Sequence, residues 1–88
     1  FMVICLTSKF KKVYKYLPAL VKIKAENKEK IFRENPFTPI LETHPLHGKY
    51  KDYWAFSVDK SYRIMFQFLD AAKAKVAFIN IGTHEIYK

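Results

Sequence analysis

Eighty-eight residues, half of them apolar and including eight Phe, six Tyr and one Trp, are enough for one small dense core and exclude a disordered chain. A net charge of +8 and a pI near 9.7 call for a phosphate polyanion, an acidic protein or an anionic lipid as partner, without choosing among them. The lone Cys5 excludes an internal disulfide, and no apolar run nears the roughly 18 to 20 residues of a spanning helix. The expectation is therefore one domain over residues 1–88, cytoplasmic and with no membrane partner.

Phe1 precedes Met2 and is set aside. Met2–Leu6 is a short apolar run that predicts a first strand, with Cys5 as a buried small hydrophobe. Thr7 or Ser8 supplies an N-cap oxygen, and Phe10, Val13, Tyr14 and Leu17 then recur at helical spacing with lysines on the other faces. Pro18 ends this helix and occupies the first turn of a second. Leu20, Ile23, Asn27 and Ile31 form the apolar stripe of that helix, with Val21 and Phe32 at its edges, until Asn35-Pro36 stops it. From Lys9 to Arg33 there are nine basic residues against two acidic ones, Glu26 and Glu29. They form either a solvated face or a surface for a polyanion or acidic partner.

Phe37–Gly48 is punctuated by prolines and glycine and predicts a loop. Alternation follows: Trp54, Phe56 and Val58 oppose Tyr53, Ala55 and Ser57, and beyond a turn at Asp59-Lys60-Ser61, Tyr62, Ile64, Phe66 and Phe68 oppose Arg63, Met65, Gln67 and Leu69. A second turn at 70–73 leads to a last strand, Val76–Ile81. The fold class expected is α+β, an N-terminal strand and a two-helix hairpin packed on one face of a mainly antiparallel sheet of about four strands. The larger apolar set faces the helices, which leaves Tyr53, Ser57, Arg63, Met65 and Gln67 on an open, polar groove.

His44 and His47 resemble half a metal site, but the remaining cysteine and histidine lie far away in the chain, so neither a metal nor another cofactor is expected. Gly48 and Gly82 lack phosphate-loop spacing, and no serine or cysteine sits in a nucleophile elbow. Arg63 in mid-strand either pairs with a carboxylate such as Asp52 or Asp59 or grips a phosphate with its planar fork. His84 is either a plain surface histidine or a proton-transfer group working near neutrality. Together with Lys49 and Lys51 for flanking phosphates and Tyr53, Tyr62 and Tyr87 for stacking on bases, these residues make a set sufficient for metal-free RNA cleavage.

Five segments resemble the RelE/ParE superfamily of bacterial and archaeal type II toxins, over nearly the whole chain. They are Phe10-Lys-Lys, Asn35-Pro36-Phe37, His44-Pro-Leu-His-Gly-Lys-Tyr-Lys-Asp-Tyr-Trp, Tyr62-Arg-Ile-Met-Phe and Ile81-Gly-Thr-His-Glu-Ile-Tyr. The resemblance is to the RelE-like and YafQ-like mRNA interferases. It implies cleavage of mRNA on the ribosome and neutralisation by a cognate acidic antitoxin, with which the toxin assembles into an oligomer. His44 matches a histidine that YafQ-like toxins place before the sheet, Arg63 resembles the strand arginine used at the scissile phosphate, His84 matches the histidine of the Gly-Thr-His motif, and Tyr87 falls near the terminal aromatic. Where YafQ-like toxins carry a histidine and an aspartate around the hairpin, this chain has Ser57 and Ser61, and the lysine cluster of RelE is matched only by Lys49 and Lys51. The general base then falls to His44 or His47 with His84 as acid, or the roles are exchanged. Two other readings remain open: a gyrase-poisoning toxin of the ParE branch, and a member without catalysis that binds nucleic acid or antitoxin.

Overall fold

The computed structural model describes residues 2–87; Phe1 lies outside them. Its elements in chain order are β1 (Val3–Leu6), α1 (Ser8–Lys15), α2 (Ala19–Glu34), β2 (His44–Pro45), β3 (Trp54–Ser57), β4 (Tyr62–Phe68) and β5 (Lys75–Thr83). Short 3-10 turns occupy Pro39–Leu41, Gly48–Tyr50 and His84–Tyr87. The strands make one mixed sheet in the order β1-β5-β4-β3-β2, with β1 parallel to β5 and the other pairs antiparallel. The expected α+β layering holds. The sheet has five strands rather than about four, because the proline-rich loop contributes the two-residue β2, His44 against Ala55 and Pro45 against Trp54.

Thr7 ties the first corner together. Its Oγ1 accepts from Phe10 N at 3.2 Å, capping α1, and lies 3.0 and 3.2 Å from the carbonyls of Phe78 and Ile79 on β5. Pro18 stands one position earlier than expected: it is the N-cap of α2 rather than a residue of its first turn. The face of α2 is also corrected. Leu20 and Ile23 are 62% and 56% exposed, while Val21, Ala25 and Phe32 are buried. The larger residues of the expected stripe outvoted the small Ala25 in the sequence, yet it is Ala25 that joins the buried core with Phe32. Phe32, fully buried, is the centre of the core: its ring stacks on Phe56 at 4.6 Å and meets Phe66 and Phe78 edge-on at 4.9 and 5.7 Å.

The second face of the sheet is not an open polar groove. Leu46, Ala55 and Met65 are buried there beneath Tyr50, Tyr53, Ile86 and Tyr87. The apolar residues that alternate onto this face need cover, and the 46–53 segment and the C-terminal 3-10 turn supply it. Cys5 is exposed rather than buried, because β1 is an edge strand whose outer face lies beyond both covers.

One irregularity in β5 decides which way the residues at its C-terminal end point. Met65 pairs with Asn80 but Phe66 with Phe78, which leaves Ile79 as an extra residue, a β-bulge. Val76 and Phe78 face the helices before it and Ile81 after it, while Ile79 packs in the second core. Asn80 and Gly82 are thereby turned to the second face. The buried Asn80 Oδ1 accepts from Ile81 N at 2.9 Å, satisfying an amide beside the interrupted ladder.

Candidate active site

Directly opposed residues of antiparallel strands share a face, so the register places two rows on the second side of the sheet. One row is His44, Ala55, Met65 and Asn80; the next is Ser57, Arg63 and Gly82. With strands about 4.8 Å apart and about 3.4 Å per residue along each, the Cα atoms of His44 and Arg63 lie about 12 Å apart. Side chains reaching across that gap can flank one phosphodiester and its ribose without touching each other.

Arg63 is half-buried, and its partners are not the carboxylates expected for a rim pair. Its Nη1 donates to the Asp59 carbonyl at 2.6 Å and to the Tyr62 carbonyl at 3.0 Å. Among the described residues Nε and Nη2 have no partner, which leaves one two-pronged edge of the guanidinium for an anion. The anchor is the β3–β4 turn. The Asp59 carboxylate accepts from Ser61 N at 2.9 Å and Tyr62 N at 2.7 Å, and its carbonyl also accepts from Ser57 Oγ at 2.9 Å. From α2, Lys24 approaches the same carboxylate at 3.5 Å and Lys28 donates to the Val58 carbonyl at 2.9 Å. Burial alone would raise the Asp59 carboxyl; the amides of Tyr62 and Ser61 and the Lys24 ammonium outweigh it and hold the group below its ordinary value. Two lysines of the basic hairpin thus have a structural task.

The exposed His44 is oriented from two sides. Its Nδ1 lies 2.9 Å from the Glu42 carbonyl, and its ring meets Tyr87 edge-on at 6.4 Å. An Nδ1–H donated to that carbonyl leaves Nε2 as the basic nitrogen. His84, exposed, begins the C-terminal 3-10 turn two residues beyond Gly82, the cross-strand partner of Arg63. The contact of Tyr87 with His44 closes that turn over the sheet and joins the two ends of the site. His47 is the N-cap of the Gly48–Tyr50 turn, where Gly48 takes the left-handed φ of 67° that favours glycine, and it lies outside both rows. Lys49 and Lys51 are exposed on the same turn, Lys49 with its ammonium 5.2 Å from the Tyr50 ring centre. Tyr53 and Tyr87 pack into the second core with their edges accessible. Tyr62 is not on this face: it packs against the helix-side core, as its alternation with Arg63 requires.

A cleft of about 480 Å³ lies elsewhere, between α1, α2 and the helix side of the sheet, bordered by Phe10, Tyr14, Ala25 and Glu26. Burial, and then Glu26, raise the Tyr14 hydroxyl in its wall. Among the described residues no three His, Cys, Asp or Glu side chains converge as a metal ion needs, and no helix is long and apolar enough to cross a membrane.

No family model and no curated protein sequence matches the chain. Solved structures do. A YoeB/ParE toxin from Agrobacterium tumefaciens superposes with a TM-score of 0.78 at 17% identity, covering 94% of this chain and 99% of that one. YafQ from E. coli BL21(DE3) gives 0.77 at 20%, covering 98% and 97%. The E. coli DinJ–YafQ toxin–antitoxin complex gives 0.69 at 21%, covering 97% and 94%. The chain has the RelE/ParE toxin fold. On this fold, the sequence had named Asp59 as a carboxylate partner for Arg63 and Ser57 as a residue of the same face, but it missed that Asp59 holds Arg63 through its backbone carbonyl, and it missed the bulge at Ile79, which aims Gly82 at the site. The anchor left a partial signal in the Ser-Val-Asp-Lys-Ser turn, where an aspartate favours an Asx turn. The bulge left none, because Ile79 has the same apolar character as its neighbours.

Proposed function

We propose that residues 1–88 form a single toxin domain of a type II toxin–antitoxin system, and that it is a metal-independent endoribonuclease that cleaves mRNA on the ribosome in the cytoplasm. The observation that carries this reading is the half-anchored guanidinium of Arg63. Nη1 is fixed by two backbone carbonyls, its remaining edge is open, and it lies on the sheet face that also carries His44 and the turn of His84 and Tyr87. The fold of solved toxins and the +8 charge support it.

In the reaction, His44 Nε2 removes the proton of a ribose 2′-hydroxyl, whose oxygen attacks the adjacent phosphorus. The open edge of Arg63 binds the phosphorane oxygens as charge accumulates on them. His84, protonated, gives its proton to the departing 5′-oxygen, leaving a 2′,3′-cyclic phosphate and a free 5′-hydroxyl. Base and acid exchange roles if the RNA lies in the opposite direction. His44 is preferred to His47 as base because it stands in the row beside Arg63 and is held by Glu42 and Tyr87. Lys49 and Lys51 hold flanking phosphates, and Tyr53 and Tyr87 offer ring edges to bases. The partner is an acidic antitoxin, as DinJ is partner to YafQ in their complex.

Induction in a bacterial host tests this. Translation should stop with mRNA cut, and Arg63→Ala and His84→Ala should each lower cleavage by about 100-fold or more. Variants that arrest growth as strongly as the parent would refute the assigned chemistry. DNA-damage signalling with mRNA intact would replace it with the gyrase reading.

A further inference from the structure

The glycine at position 82 has no backbone reason to be glycine. Of the two glycines only Gly48 has a positive φ, so the backbone at 82 accepts any L residue. What excludes a side chain is a neighbour. A Cβ built on Gly82 would stand 2.7 Å from Ile86 Cγ2, closer than two carbons can sit. Ile86 is half-buried against the second core, with Tyr87 beside it, and its γ-methyl branches directly from Cβ, so it cannot swing aside without changing a stiff χ1 or moving the turn. Gly82 is also the cross-strand partner of Arg63, turned to that face by the bulge at Ile79.

We propose that Gly82 is a positioning residue: the missing side chain is the seat of Ile86, and this contact folds the His84–Tyr87 turn back over β4 and β5 beside Arg63, setting His84 and the Tyr87 edge that meets His44. The inference deepens the ribonuclease reading and rests on it only for its kinetic consequence. The seat itself is a matter of packing and can be measured without any reaction.

The test compares Gly82→Ala, Ile86→Ala and the double variant in the full chain. NMR reads the Tyr87–His44 ring contact and the His84 imidazole resonances, with β3–β4 amide resonances as the control that the sheet is intact. Cleavage kinetics are read in parallel. In Gly82→Ala the Tyr87–His44 contact should be lost and kcat should fall by about 100-fold with KM little changed, the loss expected when a catalytic group is misplaced by about 1 Å. Ile86→Ala alone empties the seat and should weaken the contact in part. In the double variant the clash is gone and the methyl added at position 82 refills the space, so contact and kcat should recover from the Gly82→Ala level to at least that of Ile86→Ala, a coupling that simple loss of stability would not produce. A Gly82→Ala protein that keeps the ring contact, or a double variant no better than Gly82→Ala, overturns the proposal. If the parent cuts no RNA, the ribonuclease reading fails by itself and the ring contact still decides the role of Gly82. Should Gly82→Ala fail to fold, the recovery of folding and contact in the double variant is the deciding result.

Discussion

Asp59 is where stability and the site are most directly joined, and its replacement by alanine has a calculable cost. Two amides donate to its carboxylate at 2.9 and 2.7 Å, and the side chain is only 21% exposed. Bonds to a charged acceptor contribute about 1.5 to 3 kcal/mol each when well buried. Partial exposure and the freedom of a turn to find water reduce the pair to a total of about 2 to 3 kcal/mol. Lys24, 44% exposed and 3.5 Å away, adds less than about 1 kcal/mol. Asp59→Ala should therefore cost about 2 to 3 kcal/mol in urea denaturation at neutral pH. Asp59→Asn, which keeps an acceptor oxygen and loses the charge, should cost about half as much. The pH dependence has a definite sign. A carboxyl held below its ordinary value of 3.8 in the folded chain stabilises fully above that value, and the contribution is lost as pH falls from there through the folded value. The gap between parent and Asp59→Asn should be full at neutral pH and narrow below about pH 3.8. A gap smaller than about 0.5 kcal/mol at neutral pH, or one that persists unchanged in acid, would refute this account of the turn.

Two further outcomes rest on the packing. Phe32→Ala should cost about 3 to 5 kcal/mol, because three aromatic rings lose their common neighbour in a site already fully buried. For a domain this short that is a large share of total stability, visible as a lower urea midpoint or an unfolded protein. On α2, Leu20→Ser and Ile23→Ser should each change stability by no more than about 0.5 kcal/mol, whereas Val21→Ala should cost about 2 kcal/mol; equal losses at all three positions would contradict the observed helix face.

The strands from Trp54 to Ile81 were legible because alternation is a local signal, and the Asn35-Pro36 stop because proline constrains its predecessor. The face of α2 was misjudged for a physical reason. Hydrophobicity alone weights Leu20 and Ile23 above Ala25, but the buried face is the one that carries Val21, Ala25 and Phe32 at helical spacing, and Phe32 at the centre of the core decides it. Cys5 illustrates the same limit, since burial of a strand depends on whether it lies at an edge, and edge position is a property of the whole sheet. Arg63 could be singled out from residue type and its place in mid-strand, whereas His44 was named from the family resemblance and stood level with His47. That Arg63 would be held by a backbone carbonyl could not, because a carbonyl exists at every position and only the fold decides which one is near.

The second core explains how so short a chain holds its candidate site. The side chains proposed for chemistry and RNA contact on this face do not all stand on the rigid middle of the sheet. Lys49 and Lys51 lie on the segment that covers Leu46, Ala55 and Met65 from one side, and His84 and Tyr87 on the turn that covers them from the other. Only Arg63 and His44 are set by strand pairing. The geometry of the site therefore depends on how a few apolar residues pack beneath two short covers, each burying little area compared with the Phe32 core. Covers of that size are the parts of a domain that open at the lowest free energy. A long RNA or an acidic partner lying across both covers would bind the closed form in preference and hold them together, so binding and completion of the site become one event.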